Sequence, residues 1–205
     1  MKARLVHVVD DEPELRRALT RLLNAEGYRV QAVASALEFM ADLEAREPGC
    51  VLLDVAMPGL DGLELQQRIA ACAARLPVVF LTGHGDIPMS VRAIKAGAID
   101  FLTKPVRREE LLRAVTSAHD AVDAWMREES MRADLTGRLS RLTRREREVI
   151  EHVIAGRLNK LIAERLGTAE HTVKIHRARG MEKLGARSVA ELVRLADRLG
   201  LQPAS

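Results

Sequence analysis

Three carboxylates, a hydroxyl and an amine recur at one kind of place along the first half of this 205-residue chain. Each follows a short apolar run. Leu5-Val6-His7-Val8-Val9 ends on Asp10-Asp11, Cys50-Val51-Leu52-Leu53 on Asp54, Val78-Val79-Phe80-Leu81 on Thr82, and Ile99-Asp100-Phe101-Leu102-Thr103 on Lys104-Pro105. Runs of this length, bounded by turn residues such as Pro58 and Gly59, fit buried strands of a parallel sheet, and ligands of such sheets gather outside the carboxyl ends of the strands. Taken singly, each residue has a bland reading. Asp11 before Pro13 suits a helix cap, Asp54 a turn and Lys104 a solvated cation. Taken together, three carboxylates repel one another unless a divalent cation neutralises them, and an all-oxygen cage suits Mg2+ with waters completing the octahedron.

The elements that must position these residues alternate. Residues 14–25 place Leu15, Leu19, Leu22 and Leu23 on one helical face, and Gly27 ends that helix. Residues 28–33 return as a strand. Ser35 and Glu38 form a capping box that opens a second helix, which Pro48-Gly49 separates from the Asp54 strand. Residues 62–74 read as a third helix, 88–96 as a fourth stopped by Gly97, and residues from 108 onward as a fifth. Five such alternations predict an α/β fold, a doubly wound five-stranded parallel sheet with right-handed crossovers. The fifth helix has no Pro before residue 138, and Leu111, Val115, Ala118, Val122, Trp125 and Glu129 fall near heptad spacing. A long helix, or a helix plus linker, is expected, with a two-stranded coiled coil as the alternative.

The first 120 residues resemble the receiver domains of two-component response regulators. The resemblance is carried by Asp10-Asp11, Asp54 with Met57-Pro58-Gly59, Asp61-Gly62, Thr82-Gly83, Lys95-Ala96-Gly97-Ala98, Asp100-Phe101 and Lys104-Pro105. The run Thr82-Gly83-His84-Gly85-Asp86-Ile87-Pro88-Met89 is most similar to the FixJ subgroup. The resemblance implies that Asp54 accepts a phosphoryl group from a sensor histidine kinase. It further implies that Asp10, Asp11, Asp54 and the backbone carbonyl of Ala56 hold Mg2+, that Lys104 pairs with the phosphoryl oxygens, and that Thr82 binds them after transfer while Phe101 turns into the vacated space. The implied partner for the remodelled face of the fourth helix and fifth strand is a second copy of the chain. Lys104–Pro105 is expected to be cis. A phosphatase with an aspartyl nucleophile would place a second acid two residues after it, where this chain has Ala56. The protein is therefore read as no enzyme beyond catalysing its own phosphorylation and dephosphorylation.

Composition bounds the rest. With 47% hydrophobic and 30% charged residues the chain has a globular make-up, and nothing approaches a membrane span or a signal peptide. Cys50 and Cys72 have no metal or redox spacing, which suits reduced thiols in a cytoplasmic protein. Charge divides unevenly: residues 1–138 hold 18 Lys and Arg against 21 Asp and Glu, residues 139–205 hold 14 against 8. The basic module points to nucleic acid. In it, Thr143 and Glu146 form a capping box, Gly156 ends the helix they open, residues 159–166 stop at Gly167, and a helix over residues 170–184 stops at Gly185. Two short helices joined by a Gly-containing turn match a helix-turn-helix.

Leu142-Thr143, Glu146, Gly156, Asn159-Lys160, Leu166-Gly167, Thr172-Val173-Lys174-Ile175-His176-Arg177 and Met181-Lys183-Leu184 make this part similar to the LuxR/NarL-type DNA-binding domain. The resemblance implies a transcription regulator that binds double-stranded promoter DNA, with RNA polymerase as a further partner. Lys174 and Ile175 occupy the positions that reach base edges. Arg177, Arg179 and Lys160 are placed as phosphate contacts, and Thr172 and His176 as neutral ones. Three departures stand out. Ala169 replaces a capping Ser, Gly180 sits inside the recognition helix, and Ala178 stands where relatives present a longer polar side chain. The expected division is a receiver over 1–120, a helical linker over 121–138 and a LuxR-type domain over 139–205.

Overall fold

The structure is a computed structural model that describes residues 3–72, 76–83, 87–201 and Ala204. The chain divides into two compact units, Met1–Met126 and Arg127–Ser205. In the first, five parallel strands, β1 (Leu5–Val9), β2 (Arg29–Val33), β3 (Cys50–Asp54), β4 (Val78–Thr82) and β5 (Asp100–Thr103), lie in the order β2-β1-β3-β4-β5. This is the doubly wound α/β sheet expected from the alternation. Its two faces are covered by different helices, and the period of two along β3 sorts its residues between them. Val51 and Leu53 pack with Phe39 of α2 (Ala36–Met40), Leu65 of α3 (Gly62–Ala71) and Ala93 of α4 (Ile87–Lys95). Cys50 and Leu52 pack with Leu19 and Leu23 of α1 (Pro13–Ala25) and Leu111, Ala114, Val115 and Ala118 of α5 (Arg108–Ser140).

Several local expectations shift. At α1 the cap residue is Glu12 with Pro13 next to it, and no side chain caps it. Ser35 caps α2, but the return bond of Glu38 reaches the Ala34 amide instead of the cap residue's own. That helix is short and is followed by a 3-10 turn, Leu43–Ala45. The third helix ends at Ala71; residues 73 and 74, which it was expected to include, lie outside the described residues, as do His84, Gly85 and Asp86. The heptad-like stripe of α5 is used locally: Leu111, Val115 and Ala118 belong to the sheet's own core and are not free for a coiled coil.

Burial leaves one histidine of β1 exposed to a strong titration effect. His7 is fully buried, its Nε2 donates to the Glu47 carbonyl at 3.1 Å, its ring meets Phe39 edge-on, and its Nδ1 has no partner. Loss of hydration, with the charges of Arg46 and Arg29, lowers its pKa from 6.5 to about 4. The second unit contains α6 (Arg144–Ile154), α7 (Asn159–Leu166), α8 (Glu170–Leu184), α9 (Val189–Leu199) and the end of α5. Val149, Ile150, Ile162, Val173, Leu184 and Leu192 fill its core.

Thr143 and Glu146 form the full capping box of α6, and the buried Glu146 carboxylate also accepts from Lys183 Nζ at 2.6 Å. That bond holds the Glu146 carboxyl below the usual range. One acid thereby satisfies two helices. Gly180 explains itself in this packing: a Cβ there would lie 2.8 Å from Ile150 Cγ1, so α8 and α6 approach more closely than any side chain at 180 would allow. Ala169 caps α8 with no side-chain bond. At the other end Gly185 adopts φ 73°, and Arg138 of α5 donates to the Leu184 carbonyl at 3.1 Å while pairing with Asp134 at 2.8 Å.

Two outcomes follow from this packing. Because the folded pKa of His7 lies below its unfolded value, the unfolded chain binds more protons between pH 6.5 and 4, so stability is complete above pH 6.5 and falls as pH drops through that window. By this residue alone the first unit loses ~2 kcal/mol between about pH 7.5 and 5, and His7→Leu should remove that share of the loss in urea titrations at the two pH values. In the second unit, Gly180→Ala should destabilise by ~1–3 kcal/mol despite alanine's better helix propensity, because the methyl overpacks the α6–α8 contact. Hydrogen exchange of the α6 and α8 amides reads the change, and adding Ile150→Val should restore part of it.

Candidate functional site

The carboxyl ends of β1, β3 and β5 converge on one ammonium. Lys104 Nζ donates to Asp10 Oδ2 at 2.8 Å and Glu12 Oε1 at 3.0 Å, and lies 3.3 Å from Asp54 Oδ1. Its backbone amide donates to the Thr82 carbonyl at 2.6 Å, and the Lys104–Pro105 peptide is cis, as expected. Asp10 and Asp54 are buried side by side because their strands are neighbours in the sheet. Asp10 is fixed by a bond from the Glu12 amide to its Oδ1 at 2.8 Å, and Asp54 accepts from the Ala56 backbone N–H.

The loop after Asp54 has its own constraint. The Gly62 amide donates to the Val55 carbonyl at 3.0 Å, and a Cβ at Gly62 would overlap the Asp54 carbonyl oxygen. Asp61 immediately before it caps α3, accepting from the Glu64 amide at 2.7 Å. The helix start is thus pressed against the backbone that carries Asp54, and only glycine permits the approach.

Burial raises the pKa of Asp54; the Lys104 charge opposes the rise and the Asp10 charge adds to it. For Lys104 burial works in the lowering direction, but hydrogen bonds to Asp10 and Glu12 and the charges of Asp10 and Asp54 outweigh it and hold the ammonium above the ordinary lysine range. Three carboxylates against one ammonium leave two negative charges uncompensated. Asp10, Glu12 and Asp54 each offer an oxygen, all within 4.8 Å of one another, so donor type, spacing and charge suit a hard divalent cation.

Among the residues singled out from sequence, Asp10, Asp54 and Lys104 are brought together. Thr82 is buried at the end of β4, paired in register with Thr103, and Ala56 is exposed beside the pocket. Phe101 is half-buried on β5, opposite Phe80, with ring centroids 6.1 Å apart. Asp11 is half-buried and is not in the group that Asp10, Glu12 and Asp54 form. Sequence reasoning missed Glu12, although its position directly after Asp10-Asp11 could have drawn attention to it.

In the second unit, Lys174, Ile175 and Arg179 are exposed on α8 and Lys160 on α7, while Thr172, His176 and Arg177 are half-buried. Two of the cations are engaged within the protein. Arg177 donates to Asn159 Oδ1 at 3.0 Å, and Lys174 pairs with Glu170 at 3.0 Å.

An acidic pocket at the carboxyl edge of a five-stranded parallel sheet, followed by a helix-turn-helix unit, is the arrangement of a response regulator. Comparison with known families gives the same answer for each part: residues 6–116 match the response regulator receiver domain, and residues 140–196 match the bacterial regulatory proteins of the luxR family. Nodulation protein W of Bradyrhizobium diazoefficiens is 43% identical over 197 residues, spanning 96% of this chain and 87% of that protein. Transcriptional regulatory protein FixJ of the same organism is 40% identical over 196 residues, 96% of each chain. Among solved structures, response regulator StyR is similar with a TM-score of 0.85 at 41% identity, covering 96% of this chain and 99% of that one. Full-length FixJ from B. japonicum gives a TM-score of 0.60 at 39% identity, covering 98% and 99%. The chain belongs to the FixJ/NarL-type response regulators of two-component systems.

Receiver domains bind Mg2+ at an acidic pocket, and the cluster of Asp10, Glu12 and Asp54 has that place here. The receiver implies a histidine kinase partner and the luxR-family domain implies DNA binding. No helix among the described residues is long and apolar enough to cross a membrane.

The crowding at Gly62 makes a test of the pocket. Gly62→Ala should leave far-UV circular dichroism unchanged but displace Asp54; where Asp54 is the group that acetyl phosphate labels, a misplacement of about 1 Å costs ~100-fold in labelling rate. Labelling by acetyl phosphate at the wild-type rate would mean that the 54–62 loop relaxes without moving Asp54.

Proposed function

We propose that this protein is a transcriptional response regulator whose Asp54 receives a phosphoryl group from a sensor histidine kinase, after which the protein dimerises and binds promoter DNA. The observation that carries the reading is the Lys104 ammonium among Asp10, Glu12 and Asp54 at the ends of neighbouring parallel strands. In the transfer, an Asp54 carboxylate oxygen attacks phosphorus in line, the bond from phosphorus to the donor's imidazole nitrogen breaks, and that nitrogen keeps the electron pair. The product is an acyl phosphate. Little covalent chemistry is asked of the protein, so charge neutralisation and positioning supply the rate.

Lys104 neutralises the phosphoryl oxygens, and Thr82 binds them after transfer. Bound Mg2+ would offset the remaining negative charge. Asp10, Asp54 and the Ala56 backbone carbonyl would hold it with one further carboxylate: Asp11, as the family resemblance implies, or Glu12, whose oxygen lies within 4.8 Å of those of Asp10 and Asp54. Mg2+ titration of Asp11→Asn and Glu12→Gln distinguishes the two. Phosphorylation adds close to two negative charges at the sheet edge. Thr82 moving toward them frees space for Phe101 to turn, and the surface of Val91, Lys95 and Phe101 then joins a second copy. Val91 is exposed on α4, consistent with a surface awaiting a partner.

The division proposed is a receiver over 1–120, a helical linker over 121–138 and a LuxR-type domain over 139–205. In the last, Lys174 and Ile175 read base edges, while Lys160, Arg177 and Arg179 contact phosphates, with Thr172 and His176 as neutral contacts. Arg177 would have to exchange its bond to Asn159 for a phosphate. RNA polymerase is a further partner at the promoter, and the cytoplasm is the proposed compartment. The protein catalyses only its own phosphorylation and dephosphorylation.

The reading is tested by incubation with acetyl phosphate. Wild type should become labelled in Mg2+ and lose labelling in excess chelator, and Asp54→Asn should remain folded and unlabelled. Undiminished labelling of the Asn variant would move the phosphoacceptor elsewhere.

A further inference from the structure

The DNA-facing stripe of α8 carries an acid that neither the core nor the proposed phosphate contacts explain. Glu170, Lys174 and Ala178 recur every four residues, with His171 and Ile175 beside them, and all five are exposed, while Val173, Gly180 and Leu184 turn inward. Glu170 accepts from Lys174 across 3.0 Å, both side chains remaining about half in solvent. A simpler role exists for this acid. A carboxylate in the first turn favours a helix whose cap residue, here Ala169, offers no side-chain bond, and an exposed ion pair four residues apart adds a little helix stability.

That role does not account for the location. Residues 139–205 hold 14 Lys and Arg against 8 Asp and Glu, and the stripe is the part of the unit meant to approach phosphates. A carboxylate there opposes every non-specific contact, since affinity for any duplex rests on neutralising backbone charge. The opposition is offset at one kind of sequence: where an exocyclic amino group in the major groove donates to the acid. Cytosine N4 is the donor that Glu accepts from, and guanine O6 and N7 are the acceptors that Lys reaches. The two side chains lie 3.0 Å apart, close to the 3.4 Å rise of one base step. They can therefore address neighbouring base pairs without parting. The short Ala178 side chain leaves the first turn and a half of α8 to carry this readout.

We propose that Glu170 is a specificity-determining residue of this regulator: it accepts a hydrogen bond from a cytosine amino group and holds Lys174 on the guanine of the adjacent base pair. The inference rests on the DNA-binding reading proposed above. It makes the site depend on an acid that lowers affinity for all other DNA.

The test uses the full-length protein treated with acetyl phosphate and Mg2+. Duplexes bound from a randomised pool define the wild-type preference, and wild type, Glu170→Gln, Glu170→Ala and Lys174→Ala are then titrated against the preferred duplex, its single-base variants and a scrambled duplex. Glu170→Gln should shift the preference at one position of each half-site from cytosine toward adenine, which an amide addresses through N6 and N7, changing that discrimination about 10-fold. Glu170→Ala should abolish discrimination at that position and bind the scrambled duplex several-fold more tightly. Lys174→Ala should flatten the adjacent position. An unchanged base profile in both Glu170 variants, with affinity raised equally on every duplex, would overturn the inference and leave Glu170 a charge on the helix end. Wild-type protein that selects no duplex would instead overturn the DNA-binding reading itself, an outcome that the selection step reveals before any variant is compared.

Discussion

Two buried carboxylates side by side repel one another unless a cation neutralises them or one of them takes up a proton. Asp10 and Asp54 sit side by side here because β1 and β3 are neighbours and end at the same edge, and Lys104 from the far side of the sheet supplies the charge that makes the arrangement tolerable. Much of the first unit follows from that requirement. The strand order brings the ends together, the two apolar faces hold the strands in register, and the packing of Gly62 against the Asp54 backbone keeps the loop from drifting. A single ammonium only partly satisfies three acids. The remaining negative charge is what a divalent ion would relieve, and it keeps the Asp54 carboxylate poorly compensated.

The second unit solves a different problem with fewer residues. Its core is small, so polar contacts and close backbone approach contribute where apolar area is short. Glu146 closes the cap of α6 and grips Lys183 of α8 at once, and Gly180 lets those two helices approach until Ile150 fills the space a side chain would have taken. The helix propensity lost at Gly180 is thereby offset through packing. No comparable compensation is visible at Ala169, where α8 begins without a side-chain cap and the nearest favourable charge is Glu170.

Much of this was legible in the sequence, for reasons specific to the elements. Short apolar runs ending in Asp10, Asp54, Thr82 and Lys104 announce buried parallel strands and the edge at which their functional groups meet. The Thr143 and Glu146 pair announces a helix start to the residue. What stayed hidden depends on distances that spacing does not encode. Nothing in the order Asp10-Asp11-Glu12 says which side chains gather with Asp54; in the structure they are Asp10 and Glu12. The heptad-like stripe of α5 was ambiguous between a partner helix and a sheet, since both present the same apolar seam; here the sheet buries its first three residues, Leu111, Val115 and Ala118. Gly62 and Gly180 looked respectively like a motif letter and a helix defect, and both are places where two backbones or a backbone and a side chain nearly touch.

Arg138 has a bearing on how such proteins are assembled from parts over evolutionary time. It belongs by sequence to the helix that starts in the first unit, yet its guanidinium closes the carbonyl end of α8, and Asp134 one turn earlier holds it there. A recombination event joining this DNA-binding unit to a foreign sensor module would cut that clasp if it fell after residue 138. Crossovers upstream of Met131, whose sulfur accepts from Arg198 of α9, keep both that contact and the clasp on the DNA-binding side. The permissive seam for shuffling lies inside a helix, and a module inherited across it arrives with its own fastening.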